Sequence, residues 1–140
     1  MKEKRNFIIR NDLSELKLLN KAIRKYLEQL DLSTKSVYNI TLISEELISN
    51  TIRHGYTDDI KHEISVDIKT SKNYMKITIK DDGKKFNVLE HPTPELDIPL
   101  KDMKVGGLGI YLVKNLAKKF SYKRKNHINI LALKLKITFK

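Results

Sequence analysis

The sequence predicts a two-layer α/β (α+β) sandwich: a mostly antiparallel sheet with all its helices on one face. Two observations carry this expectation. Segments near residues 64–68, 75–79 and 131–139 alternate apolar with polar side chains, so each strand has one wet face. Two stretches ahead of them place apolar residues at helical spacing. A doubly wound parallel sheet is covered on both sides, and its strands read as continuous apolar runs. One-faced strands and amphipathic helices are satisfied by laying one layer on the other.

In chain order, Phe7-Ile8-Ile9-Arg10 reads as a short first strand. Asn11 or Ser14 is placed to cap a helix reaching about Leu30, with Leu16, Leu19, Ile23, Tyr26, Leu27 and Leu30 at helical spacing. Leu32-Ser33-Thr34 is a break. Ser33 or Thr34 caps a second helix from Lys35 to Arg53, which Gly55 is placed to end. Ile64, Val66 and Ile68 mark one strand, and Met75, Ile77 and Ile79 the next, across a turn at Ser71-Lys72-Asn73. Residues 86–105 lack periodicity and contain Pro92, Pro94 and Pro99, a length that marks a lid or functional loop. A third helix is expected from Leu108 to Lys119, with Leu108, Leu112, Val113, Leu116 and Phe120 inward and Tyr111, Lys114 and Lys118 outward. Leu131, Leu133, Leu135, Ile137 and Phe139 mark the last strand.

The 140 residues are expected to form one domain, 1–140, whose 40% apolar content buries a core without crosslinks. Cysteine is absent, which excludes thiol chemistry, disulfides and a cysteine zinc site. The first residues are charged without the apolar run of a signal peptide. No stretch approaches the roughly 20 apolar residues of a membrane span. A cytoplasmic location and no membrane partner are expected. The net charge of +11 comes almost wholly from lysine scattered over every segment, since arginine occurs only at 5, 10, 24, 53 and 124. Lysine is the weaker choice for reading bases. That argues against nucleic acid as the main partner and suits an acidic protein surface at least as well.

Three constellations carry chemistry. On the second helix, at about 100° per residue, Glu46 and Asn50 lie about 40° apart just beyond the apolar arc of Val37, Ile40, Ile43, Leu47 and Ile48. His54 falls inside that border, Arg53 sits beside Glu46, and Glu45 points to an exposed sector. A carboxylate can take a proton, and an amide offers a neutral oxygen to magnesium; the same pair also fits an ordinary helix flank. Lys80-Asp81-Asp82-Gly83 closes a strand, and alternation turns Asp81 toward the core layer and Asp82 to solvent. A core-side carboxylate needs a donor, for which an adenine amino group is one candidate and a plain Asp-Gly turn the alternative. Gly106-Gly107-Leu108-Gly109 opens the third helix, where free N–H groups attract phosphate and Lys101 and Lys104 add charge. Alone it also reads as a hinge.

Together these residues resemble the ATP-binding domain of the GHKL superfamily, with its Bergerat-type fold. Glu46 to Asn50 is similar to its N box, Asp81-Asp82-Gly83 to its first glycine box and Gly107-Leu108-Gly109 to its second. The runs Ser44-Glu45-Glu46-Leu47-Ile48-Ser49-Asn50, Arg53-His54-Gly55-Tyr56, Asp81-Asp82-Gly83-Lys84-Lys85-Phe86 and Gly106-Gly107-Leu108-Gly109-Ile110-Tyr111-Leu112-Val113 most resemble the bacterial anti-sigma factor serine kinases of sporulation and stress response. The resemblance implies ATP and Mg2+ as cofactors, Glu46 as general base, Asn50 as the magnesium ligand and Asp81 as acceptor for the adenine amine. It implies an ATP-binding set of Asn50, Arg53, His54, Asp81, Gly83, Phe86, Lys104, Gly106, Gly107, Leu108 and Gly109. It further implies a STAS-type anti-anti-sigma factor and a sigma factor as partners, and a homodimer. Where the family often has a Gly-Thr pair near adenine, this chain has Lys125-Asn126-His127-Ile128-Asn129, so Asn126 or Asn129 is placed to substitute. Val105 stands where a basic residue often precedes the second glycine box. The rival functions are an ATP-binding partner switch without phosphotransfer and a basic nucleic-acid-binding domain.

Overall fold

The computed structural model describes residues 3–87, 90 and 108–140. Its elements run β1 (Glu3–Arg10), α1 (Leu13–Gln29), α2 (Thr34–Gly55), β2 (Glu63–Thr70), β3 (Tyr74–Asp81), α3 (Leu108–Leu116), β4 (Ala117–Lys125) and β5 (Ile128–Lys136). The five strands form one sheet in the order β1-β2-β3-β5-β4, antiparallel at every pairing. The two-layer arrangement expected from the alternation is present. Ile64, Val66, Ile68, Ile77, Leu131 and Leu133 are buried on one face of the sheet. Against them lie Leu16, Leu19, Ile23 and Leu27 of α1, Ile40, Ile43, Leu47 and Ile48 of α2, and Val113 of α3. Each fully buried aliphatic side chain contributes roughly 1.5–3 kcal/mol.

The helix starts differ in detail from expectation. Asp12, rather than Asn11 or Ser14, caps α1: its Oδ1 accepts from the Ser14 N–H at 2.8 Å. Asn11 instead accepts from the His62 N–H at 2.9 Å, tying the start of α1 to the entry of β2. Ser33 caps α2 through the Ser36 N–H. Gly55 is the last residue of α2 rather than a left-handed residue beyond it, and Tyr56 takes the cap position in an extended conformation.

The largest departure lies after α3. The helix stops at Leu116, and Ala117–Lys125 forms an edge strand where the sequence suggested a continuing helix. The i, i+4 spacing of Leu112, Leu116 and Phe120 imitates a helix. Half of the strand's partly apolar alternation faces solvent at the sheet edge, which hides its period of two. Leu116 and Phe120 are accordingly exposed rather than inward, while Tyr111 and Lys114 are half-buried. A two-residue turn at Asn126-His127, with φ of 51° and 65°, joins β4 to β5 in the manner of a primed hairpin turn. Near the end, Phe139 bridges to Leu32 instead of extending β5.

Candidate functional site

The apolar face of α2 fixes the first pair. Ile43, Leu47 and Ile48 are fully buried, so the helix cannot rotate, and Glu46 and Asn50 are held half-buried at the border of the core. The Asn50 Nδ2–H donates to Glu46 Oε1 at 3.1 Å. Burial holds the Glu46 carboxyl above the usual carboxylate range, against the opposing pull of the Asn50 hydrogen bond and the Arg53 charge. Glu45 is exposed, as the helical geometry requires. His54 departs from expectation. It lies in the last turn of α2, is exposed, and its ring stands 5.4 Å from that of Phe86 rather than in the core. Arg53 is exposed on the Glu46 side.

The second pair forms where β3 ends. Asp81 is buried and Asp82 exposed, as the alternation required. Asp81 Oδ1 accepts from the Gly83 N–H and from Asn129 Nδ2, each at 2.9 Å. Both bonds fall on one oxygen, which leaves Oδ2 without a hydrogen-bond donor among the described residues. Burial raises the Asp81 carboxyl, offset by Asn129 and the Gly83 amide. Asn129, cross-strand from Asp81, also donates to the Lys84 carbonyl at 2.9 Å. Its own Oδ1 accepts from Tyr122 Oη and from Arg124 at 2.9 Å, and Arg124 further donates to the Gly83 carbonyl. Of the two asparagines considered for this place, Asn129 meets Asp81, while Asn126 sits in the hairpin turn. Tyr122 and Arg124 lie on β4, whose weak alternation gives no sequence signal for either.

Glycine joins the two pairs. The Lys84 N–H donates to the Gly55 carbonyl at 2.7 Å, and a Cβ on Gly83 would lie 2.4 Å from that same oxygen. The end of α2 therefore rests on the turn after β3, and only glycine permits the approach. Beyond it, the Tyr56 hydroxyl is buried without a partner among the described residues, and burial, followed by the charge of Asp81, raises its phenol far above the usual range. His62 is clamped between Asp82 (3.1 Å) and Asp58 (2.9 Å), under the Tyr56 ring at 4.8 Å. The 56–62 loop is thus stitched to the strand end by His62, and among the described residues Asp81 Oδ2 has no hydrogen-bond donor and the Tyr56 hydroxyl no partner.

A family profile described as a histidine kinase-like ATPase domain matches residues 9–135. The chain belongs to that family. It is 25% identical over 101 residues to the serine/threonine-protein kinase BtrW of Bordetella bronchiseptica, covering 72% of this chain and 71% of that one. It is 22% identical over 94 residues to the anti-sigma F factor of Oceanobacillus iheyensis, covering 67% and 64%. To the serine-protein kinase RsbW of the same organism it is 24% identical over 96 residues, covering 63% and 58%. The match thus spans less than two thirds of the anti-sigma F factor and of RsbW. Among solved structures, the RsbU and RsbW domains of a Mycobacterium tuberculosis protein give a TM-score of 0.65 at 10% identity, over 99% of this chain and 34% of that one. A blue-light-activated histidine kinase of Erythrobacter litoralis gives 0.57 at 14%, over 84% and 40%. At such identities the likeness is one of fold.

In this histidine kinase-like ATPase domain, Glu46, Asn50, Arg53 and His54 fall on α2, Asp81 ends β3, and Gly83 and Phe86 follow in the turn after it. Leu108 and Gly109 open α3, which packs beside α2. Lys101, Lys104, Gly106 and Gly107 lie outside the described residues, as does most of the proline-containing segment. No helix among the described residues is long and apolar enough to cross a membrane. The donor set fits a magnesium nucleotide: a neutral amide oxygen and a carboxylate suit a cation that keeps most of its shell for water and phosphate, and the unsatisfied Asp81 oxygen suits an amino group.

Proposed function

We propose that this chain binds Mg-ATP between α2, the turn after β3 and the start of α3, and uses it to phosphorylate a serine on a STAS-type anti-anti-sigma partner while also sequestering a sigma factor. The reading rests above all on Asp81: a buried carboxylate whose one oxygen is saturated and whose other is free to accept from adenine. Gly55 touches this turn. Asn50 and Glu46 lie about 7 Å and 13 Å further back along the helix axis, at 1.5 Å per residue. A nucleotide with its base at Asp81 would therefore run its phosphates toward them.

Asn50 would hold magnesium through its side-chain oxygen, and the ion would supply charge neutralisation at the phosphates. Glu46, already raised by burial, is suited to accept the proton of an incoming serine hydroxyl. Asn50 orients that carboxylate through its hydrogen bond. The N–H groups at the start of α3 would cradle phosphate, with Lys104 as a further contact. Catalysis of this kind is mostly positioning and charge neutralisation. The relatives named as serine kinases and anti-sigma factors support the choice of reaction and partners, and we infer a cytoplasmic setting for this chain with it.

Incubation with Mg-ATP and a STAS partner tests the reading. Phosphoserine should form with the native chain, and Glu46→Ala should keep ATP affinity while losing phosphotransfer at least ~100-fold, the lower range for a general base. Intact ATP binding with no phosphoserine from the native chain would leave a non-catalytic partner switch in its place.

A further inference from the structure

The sheet face turned away from the helices carries an arrangement the nucleotide site does not use. The strand register places Lys4 opposite Lys69, Lys69 opposite Lys76, Lys76 opposite Lys134 and Lys134 opposite Lys119. One lysine from every strand thus stands in a single row across the sheet. Directly opposed like charges destabilise strand pairing, and here the cost recurs at each of the four pairings. Among the described residues none of the five lysines makes an ion pair. Lys134 alone is engaged, its ammonium 4.6 Å from the centre of the Tyr74 ring. Asp67, one row along, is already held by Asn6 at 2.6 Å. A groove of about 1120 Å³ follows the row, lined by these lysines with Tyr74, Phe120 and Ala132 and with one carboxylate, Glu3, at its end. At roughly 4.8 Å per strand the row spans about 19 Å.

The composition of the face selects among polyanions. Among the described residues no arginine lines the groove, and of its two rings Tyr74 lies under Lys134, which leaves Phe120 alone rather than a run of rings to stack bases. Lysine is depleted at protein interfaces, where arginine and aromatic residues are enriched. What remains is a concave line of point charges, which suits phosphate recognised by charge alone. The row is one lysine wide and about 19 Å long, a shape that an unbranched phosphate chain matches along its length.

We propose that this face is a binding site for a linear condensed-phosphate chain, lying along the lysine row and independent of the nucleotide site. Calorimetric titration of the full chain with inorganic polyphosphate tests it, with duplex DNA, polyglutamate and anionic phospholipid vesicles as parallel arms at equal ionic strength. Polyphosphate should bind tightest and remain bound under saturating Mg-ATP. The triple substitution Lys69→Gln, Lys76→Gln, Lys134→Gln should weaken it by about tenfold or more and lower the slope of log affinity against log salt by about 2 to 3. ATP affinity and the circular dichroism spectrum should be unchanged. The charge-matched triple on exposed positions of α1, Lys17→Gln, Lys21→Gln, Lys25→Gln, should bind as the native chain does. Tighter binding of DNA, polyglutamate or vesicles would overturn the assignment in favour of that class. Equal weakening by both triples would reduce it to net charge, and displacement by ATP would move it to the nucleotide site.

Discussion

Asn129 decides how Asp81 is presented. Its amide donates to Asp81 Oδ1 and to the Lys84 carbonyl, while its oxygen accepts hydrogen bonds from Tyr122 and Arg124. One buried side chain thus orients the carboxylate and fixes the turn beside it. Asn129→Ala would leave several buried groups unpaired, at about 1–3 kcal/mol for such a site. The expected result is a lower urea midpoint together with weaker ATP binding by calorimetry; a stable variant with native affinity would remove Asn129 from the site. Asp81→Asn makes a different change, because an amide can turn its N–H toward the base. Its preference for ATP over GTP should fall in a competition titration, and unchanged selectivity would count against the adenine contact.

At the level of elements, the decisive junction is the end of α2 on the turn after β3. Gly83→Ala would drive a methyl group into the Gly55 carbonyl, a backbone atom that cannot step aside. A loss of about 1–3 kcal/mol is expected for such overpacking, read by urea denaturation, along with impaired ATP binding. Next to this junction, His62 ties the 56–62 loop to Asp82. Hydrogen bonds donated by the ring to Asp82 and then to Asp58 raise the imidazole, and the His62 hydrogen bond lowers Asp58. The raised histidine contributes stability that is whole below about pH 6.5 and is lost as pH climbs through its folded value. The lowered Asp58 contributes stability that is present above about pH 4 and is lost as pH falls through its own. The loop is therefore held best between these limits. His62→Gln should flatten the alkaline side of the urea-midpoint profile, and an unchanged slope above neutrality would deny the clamp its role.

Over the whole molecule, what the sequence disclosed depended on how local the cause was. Period-two alternation in β2, β3 and β5 and the apolar arc of α2 are local patterns, and they led directly to the two-layer fold and to Glu46 over Glu45. Strand β4 was hidden because an edge strand with one solvated face needs few apolar residues. With it went Tyr122 and Arg124, which reach Asn129 only through pairing with β5. The lysines were hidden in another way. They are dispersed along the chain, and only the register of four strand pairings gathers them into one row. That row predicts an inverted response to charge. Lys76 stands between Lys69 and Lys134, so Lys76→Glu converts two repulsive cross-strand pairs into attractive ones, each worth roughly 0.2–1 kcal/mol. It also lowers a net charge of +11 whose self-repulsion opposes compaction. The substitution should raise the urea midpoint at low ionic strength, and added salt should erase most of the gain by screening. The native chain should itself gain stability over the same salt range. A neutral or destabilising Lys76→Glu at low salt would mean that the lysine side chains splay apart and the row carries no electrostatic strain.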